Sequence, residues 1–248
     1  MKDILQDIVA HTHALGDNLS VIKVVPEDGK TTIKAMADDR TIILSAITKT
    51  PVDQFNSVFG LTNLAKLSLH LKNPEYDSKA KIEVIEETKN DEKVPSHIHF
   101  ENEKGDFQND FRFMSRNAVE ERVKNVKFKG TNWNFTFQPA IIDVQRLKLM
   151  SASNSEEKFF NVYTEKTDAG YDLMISFGNN GTHSGKFVFK SDVGAPLAHT
   201  QMWPISQVES ILGLTGDKKI SISDNAVMLI SVDSGLIDYE YILPAVSS

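Results

Sequence analysis

Two His-x-His pairs, His11/His13 and His97/His99, carry the metal-binding chemistry this chain could offer. The first lies in a stretch of helical period, where residues two apart diverge. The second lies in the alternating run SHIHFEN, where residues two apart share a face. Zinc needs three or four ligands. Only Glu101 and Glu103 follow closely, so the ligand count falls short and no metal is expected. The chain has no cysteine, which removes thiolate metal sites and disulfides. It contains no P-loop lysine motif, no dinucleotide fingerprint after a strand, no GxSxG elbow and no HExxH. Asn179-Asn180-Gly181 and Gly194-Ala195-Pro196 read as turns. We therefore expect no enzyme, no catalytic residue and no cofactor.

What remains is charge. A formal net charge of −7 over 248 residues argues against wrapping nucleic acid with the whole surface. It leaves room for a local basic patch; Arg122, Lys124, Lys127 and Lys129 fall within eight positions. Hydrophobic content of 40% and charged content of 25% are those of an ordinary globular protein. The first fifteen residues, MKDILQDIVAHTHAL, lack the unbroken apolar run of a signal peptide, and no stretch reaches the roughly 20 apolar residues of a membrane span. A soluble, intracellular, cytoplasmic protein is expected.

The elements that must position these groups are short. Residues 3–15 carry a helical stripe of Ile4, Leu5, Ile8, Thr12 and Leu15, ended at Gly16-Asp17-Asn18. SVIKVV and TTIKAMA flank Asp28-Gly29, a hairpin signal. TIILSAIT follows the turn Asp38-Asp39-Arg40. Pro51 is expected to open a helix over 51–62, and LAKLSLHL, KAKIEVIEE, SHIHFEN and FQNDFRFMS to be strands, with a turn at Asn90-Asp91. Arg116 to Gly130 is charged, lacks a period and reads as a connection. Beyond it WNFTFQ is a strand, and a helix starts at Pro139. Strands FFNVYTEK, YDLMISFG and GKFVFKS follow. After them come helix PISQVESILGL and strands KKISIS, VMLISVD and LIDYEYIL. Each half reads helix, strands, helix, strands, which suits antiparallel sheets with helices on one face.

A sequence echo supports duplication. Pro51–Thr62, PVDQFNSVFGLT, matches Pro204–Thr215, PISQVESILGLT, at an offset of 153, and Lys66 answers Lys219. We expect domains at 1–115 and 131–248, joined by a connector at 116–130.

The order of elements, the duplication and the ending AVMLISVDSGLIDYEYILPAV resemble a DNA polymerase sliding clamp of the proliferating-cell nuclear antigen type. AMADDRTIIL (35–44) resembles a first-domain strand–turn–strand of that family, and the modest length is closer to clamps of T-even-like phages. The resemblance implies an α+β fold of two tandem clamp domains. Antiparallel sheets would lie outside, with two helices per domain on the inner face. It also implies a homotrimeric ring that encircles double-stranded DNA as a processivity factor, without reading bases. On the matching positions it implies DNA-facing Lys2, His13, Lys66, Arg146, Lys148, Lys218 and Lys219. It further implies a partner-peptide pocket of Met36, Arg40, Ile43, Tyr241, Leu243 and Pro244 for a DNA polymerase and a clamp-loader ATPase. Residues 77–130 match nothing in the pattern, and the inner helices are thinly basic. The alternative reading is a β-rich phage or virion structural protein with no sliding role.

Overall fold

In the computed structural model, which describes residues 1–77, 79–89, 91–124, 130–179 and 183–246, the helical stripe at the N-terminus forms α1 (Lys2–Thr12). Ile4, Leu5, Ile8, Thr12 and Leu15 are all buried, as their spacing requires. A 3-10 segment follows (His13–Leu19), with Gly16 at φ 68°. β1 (Val21–Glu27) and β2 (Lys30–Met36) then pair antiparallel about Asp28-Gly29, both at positive φ as a tight hairpin demands. β3 (Ile43–Thr48) pairs with β2, and β4 (Phe59–Thr62) with β1. α2 (Leu64–Lys72) and the three-stranded sheet β5 (Lys81–Lys89), β6 (Glu92–Glu101) and β7 (Gln108–Arg112) complete this part. A short helix α3 (Arg116–Arg122) follows, with Val119 fully buried.

The second part repeats the order. β8 (Phe135–Phe137) precedes α4 (Ile141–Ser153), then come β9 (Phe159–Lys166), β10 (Tyr171–Phe177), β11 (Gly185–Lys190) and β12 (Gln201–Pro204). α5 (Ile205–Leu212), β13 (Asp217–Ser223), β14 (Val227–Asp233) and β15 (Ile237–Pro244) end the chain. The strand orders β4-β1-β2-β3 and β12-β9-β10-β11 correspond one to one, as do β5-β6-β7 and β13-β14-β15. The architecture is α+β with antiparallel sheets, and no described helix is long and apolar enough to cross a membrane.

Two compact units emerge: Met1–Lys127 with Asp233–Tyr239, and Phe128–Val232 with Glu240–Ser248. In the second, Leu147 of α4 and Val208 and Leu212 of α5 meet Phe160, Ile175 and Ile220 from the strands, leaving a void of only about 10 Å³. Such packing stabilises by about 1.5–3 kcal/mol per fully buried large side chain. In the first unit Asp7 of α1 accepts hydrogen bonds from Ser234 Oγ and Tyr239 Oη, both at 2.8 Å. The His11 ring stacks on Tyr239 at 4.5 Å, so α1 is stitched to the closing hairpin.

The 51–62 expectation is corrected. No helix forms there: residues 51–58 are irregular and 59–62 are β4, while LAKLSLHL is helix α2, not a strand. Asn56 and Phe59 stand where the true helix α5 has Glu209 and Leu212, which are better helix formers. Phe55 and Phe59 are drawn into the core, and the Gln54 side chain accepts a hydrogen bond from Val84 N–H at 3.2 Å. In 64–71 the spacing Leu64, Leu67, Ser68, Leu71 is helical, and all four are buried while Leu69 is 71% exposed. Thus the echo at 153 joins unlike elements. The true duplication sets α2 (from Leu64) against α5 (from Ile205), an offset of 141. The expected connector at 116–130 contains α3, and its residues 125–129, with Lys127 and Lys129, lie outside the described residues, as do Asn90, Asn180 and Gly181 of the expected turns.

Candidate nucleic-acid interface

The expected DNA-facing residues fall on α1, α2 and α4, in the 3-10 segment that follows α1, and on β13 just after α5. In the first unit Lys2 opens α1, where its ammonium donates to the Tyr76 carbonyl and is half-buried. His13 follows the end of α1 and lines a groove between α1 and α2 with Gln6, Val9 and Leu71. Lys66 is exposed in the first turn of α2, which Asn63 caps by accepting from Lys66 N–H at 3.4 Å. The Lys66 charge is felt four residues on, at His70. Burial holds the His70 imidazole below its ordinary pKa, and Lys66 adds to the effect. His70 stacks on Phe100 at 5.2 Å.

In the second unit Arg146 and Lys148 are both exposed on α4. Arg146 sits 3.8 Å from Asp143. Lys148 reaches across to α5 and the start of β13: its ammonium lies over Gly213, just past α5. It also acts electrostatically on Glu209 and Lys218. Lys218 is half-buried and donates to the Gly216 carbonyl at 2.9 Å. Burial pushes its pKa down, Asp217 opposes this, and Lys148 contributes to it. Lys219 is exposed on the other face of β13. The structure therefore brings Lys148 and Lys218 together, while Lys66 and Lys219, matched by the echo, stand on unlike elements.

The solvent faces of these helices are not simply basic. Ile141, Ile142 and Leu149 on α4 are 80%, 54% and 71% exposed, opposite buried Leu147. The sequence reading missed this apolar stripe and Lys72 in the α1–α2 groove. Lys72 was legible only once 64–72 was read as a helix.

The residues expected to form a peptide pocket differ in exposure. Tyr241 and Leu243 are fully buried, because β15 alternates and these residues point inward with Ile237 and Tyr239. Pro244 is exposed. In the first unit Met36 and Ile43 face one another across β2 and β3, both half-buried, beside exposed Arg40 in the turn at φ 60°.

The histidine pairs separate as their settings dictate. His11 is buried on α1. His99 on β6 stands opposite Asp110 on β7 and bonds it at 2.8 Å, with Glu101 at 3.3 Å and His97 3.6 Å from Asp110. The Asp110 hydrogen bond raises the His99 pKa above its ordinary value. Among the described residues no group of three or more is disposed to hold a metal ion.

No protein-family model and no curated protein matches this sequence. Solved structures do. The chain is similar to A. fulgidus PCNA, solved with the C-terminal region of FEN-1 bound: TM-score 0.67, 12% identity, 100% of this chain and 96% of that one. It is similar to the proliferating cellular nuclear antigen of Entamoeba histolytica, with TM-score 0.65, 11% identity and coverage of 98% and 96%. The PCNA of Thermococcus kodakaraensis gives 0.64, 11%, and 99% and 97%.

Proposed function

From a chain with the sliding-clamp fold over its whole length, we propose a non-enzymatic processivity factor: a ring that encircles duplex DNA and tethers a replicative polymerase. The full-length likeness in fold carries this reading. The duplication supports the ring. In the first unit β3 is flanked by the hairpin residues that begin β15. The counterparts of β3 and β15 are β11 and β7, each an edge strand paired on one side only. Joining β11 of one copy to β7 of the next repeats the same junction, and three copies of two domains would close head to tail.

DNA would be held by topology, aided by a few phosphate contacts. Lys148 and Lys218, close together, are the strongest candidates; Arg146, Lys219, Lys66, Lys2 and His13 are secondary. Sparse cations beside the Ile141/Leu149 stripe suit a surface that slides, because tight phosphate contacts would resist movement. Short peptides of a polymerase or a loader ATPase would dock by Met36, Arg40 and Ile43, with Pro244 as a further exposed anchor.

The test begins with native mass by light scattering. A species near three times 27.7 kDa is expected. The chain should then be retained on circular duplex and released when the duplex is linearised. A strict monomer at micromolar concentration, or retention indifferent to linearisation, would sink the ring.

A further inference from the structure

β5, β6 and β7 gather a set of ionisable side chains on one face in register. Glu83, His99 and Asp110 form one rung; Lys81, Glu101 and Gln108 form the next on one side, and Ile85, His97 and Arg112 on the other. Glu87 continues this face of β5 opposite the β6 bulge at Ser96, accepting from Ser96 Oγ at 2.6 Å and from Arg112 at 3.1 Å. Lys81 pairs with Glu83 at 2.7 Å. With neutral imidazoles, five carboxylates (Glu83, Glu87, Glu92, Glu101, Asp110) share the face with three cations (Lys81, Arg112 and Lys89, the last 3.6 Å from Glu87), so the face is negative overall. His99 sits among three of those carboxylates and touches the one on the open edge strand.

In the second unit the edge strand β11 carries the exposed Lys186 and, past a bulge at Phe189, the half-buried Lys190. Lys186 pairs with Glu165 at 3.0 Å. An acidic edge and a lysine-bearing edge are complementary.

We propose that self-association through β7 is proton-dependent and tighter when His99 is neutral. Asp110 and its rung then meet the β11 lysines of a second copy with their negative charge undiminished. This rests on the edge-pairing reading above and adds its control. Within one chain the same proton acts oppositely. The Asp110 bond raises the His99 pKa, so protonation steadies the β6–β7 contact, and that stability is lost as pH rises through the raised value. Protonation thus favours the lone chain, and deprotonation favours the pair.

The test is a dilution series by sedimentation velocity at pH 6.0 and pH 8.5 at fixed ionic strength. The dissociation constant should be about 2–5-fold lower at pH 8.5, the span of a solvent-exposed charge pair. H99Q, which stays neutral and can still hydrogen-bond Asp110, should show a smaller difference between the two values, and H97Q/H99Q, which removes both imidazoles from this face, should associate with the same constant at both. Self-association with no pH dependence, with the reverse sign, or with the same dependence in H99Q overturns this inference and leaves the ring standing. A monomer at both values overturns the edge-pairing reading, and this inference with it.

Discussion

Glu209 shows how a single group can be placed at a cost. Burial against α4 pushes its carboxyl pKa up, while a hydrogen bond with Ser151 and the charge of Lys148 hold it partly down. One of its oxygens, Oε1, is buried with no hydrogen-bond partner. A carboxyl that prefers protonation in the fold destabilises it once ionised. Stability should therefore fall as pH rises from the ordinary glutamate range toward the raised value. We expect Glu209→Gln to raise the unfolding midpoint at pH 7 by about 1–3 °C in calorimetry, against an unchanged midpoint near pH 4. His70 has the opposite sign. Its lowered pKa means the fold favours the neutral ring, so its contribution is present above about pH 6.5 and is lost as pH falls through the lowered value. Proton NMR should place the His70 titration below that of a free histidine, and His70→Gln should remove that share of the acid sensitivity. Neither effect was legible from residue order, because both depend on what packs over the group.

At the scale of elements, α3 is held on β4 by close approach at Gly60. Gly60 exchanges backbone hydrogen bonds with Met114, at 2.9 and 2.8 Å. A Cβ at Gly60 would lie 2.9 Å from both Met114 Cβ and Val119 Cγ2. Gly60→Ala should cost about 1–3 kcal/mol in urea titration through overpacking. Val119→Ala in the same chain should not recover that loss, since Met114 Cβ at 2.9 Å and Val119 Cβ at 3.0 Å still crowd the new methyl group. Helix α1, the β1–β2 hairpin and α5 were readable because one strong local signal dominates each: a clean stripe, Asp-Gly, and a proline before an amphipathic run. Residues 51–72 were not. Phe55, Phe59 and the Gln54 contact to β5 outweigh local preference in one segment. In the other, LAKLSLHL satisfies both periods, and tertiary burial chose the helical one.

At the scale of the molecule, affinity for DNA should respond to few positions. Where each phosphate contact contributes a slope of about −0.9 in log affinity against log salt, replacing Lys148 and Lys218 by glutamate should flatten the slope by up to about 2 units per chain on linear duplex. Filter binding across 50–200 mM salt reads this directly. A slope unchanged in the double variant would remove these two residues from the interface.

By itself the sequence determined the class of the fold, the order of helices and strands outside residues 51–72 and the short helix α3, and the absence of familiar catalytic motifs. Period, turn residues and composition are local properties that survive without tertiary information. Only the tertiary structure decided which repeat was real: the matched strings at an offset of 153 adopt different structures, whereas elements with little sequence likeness correspond at about 141. It also decided that Tyr241 and Leu243 are core, that Lys148 is near enough to Lys218 to act on its charge, and that His99 stands between carboxylates. Each is a matter of which distant segments share a face. Burial and pairing across the sheets set that, and a local pattern cannot.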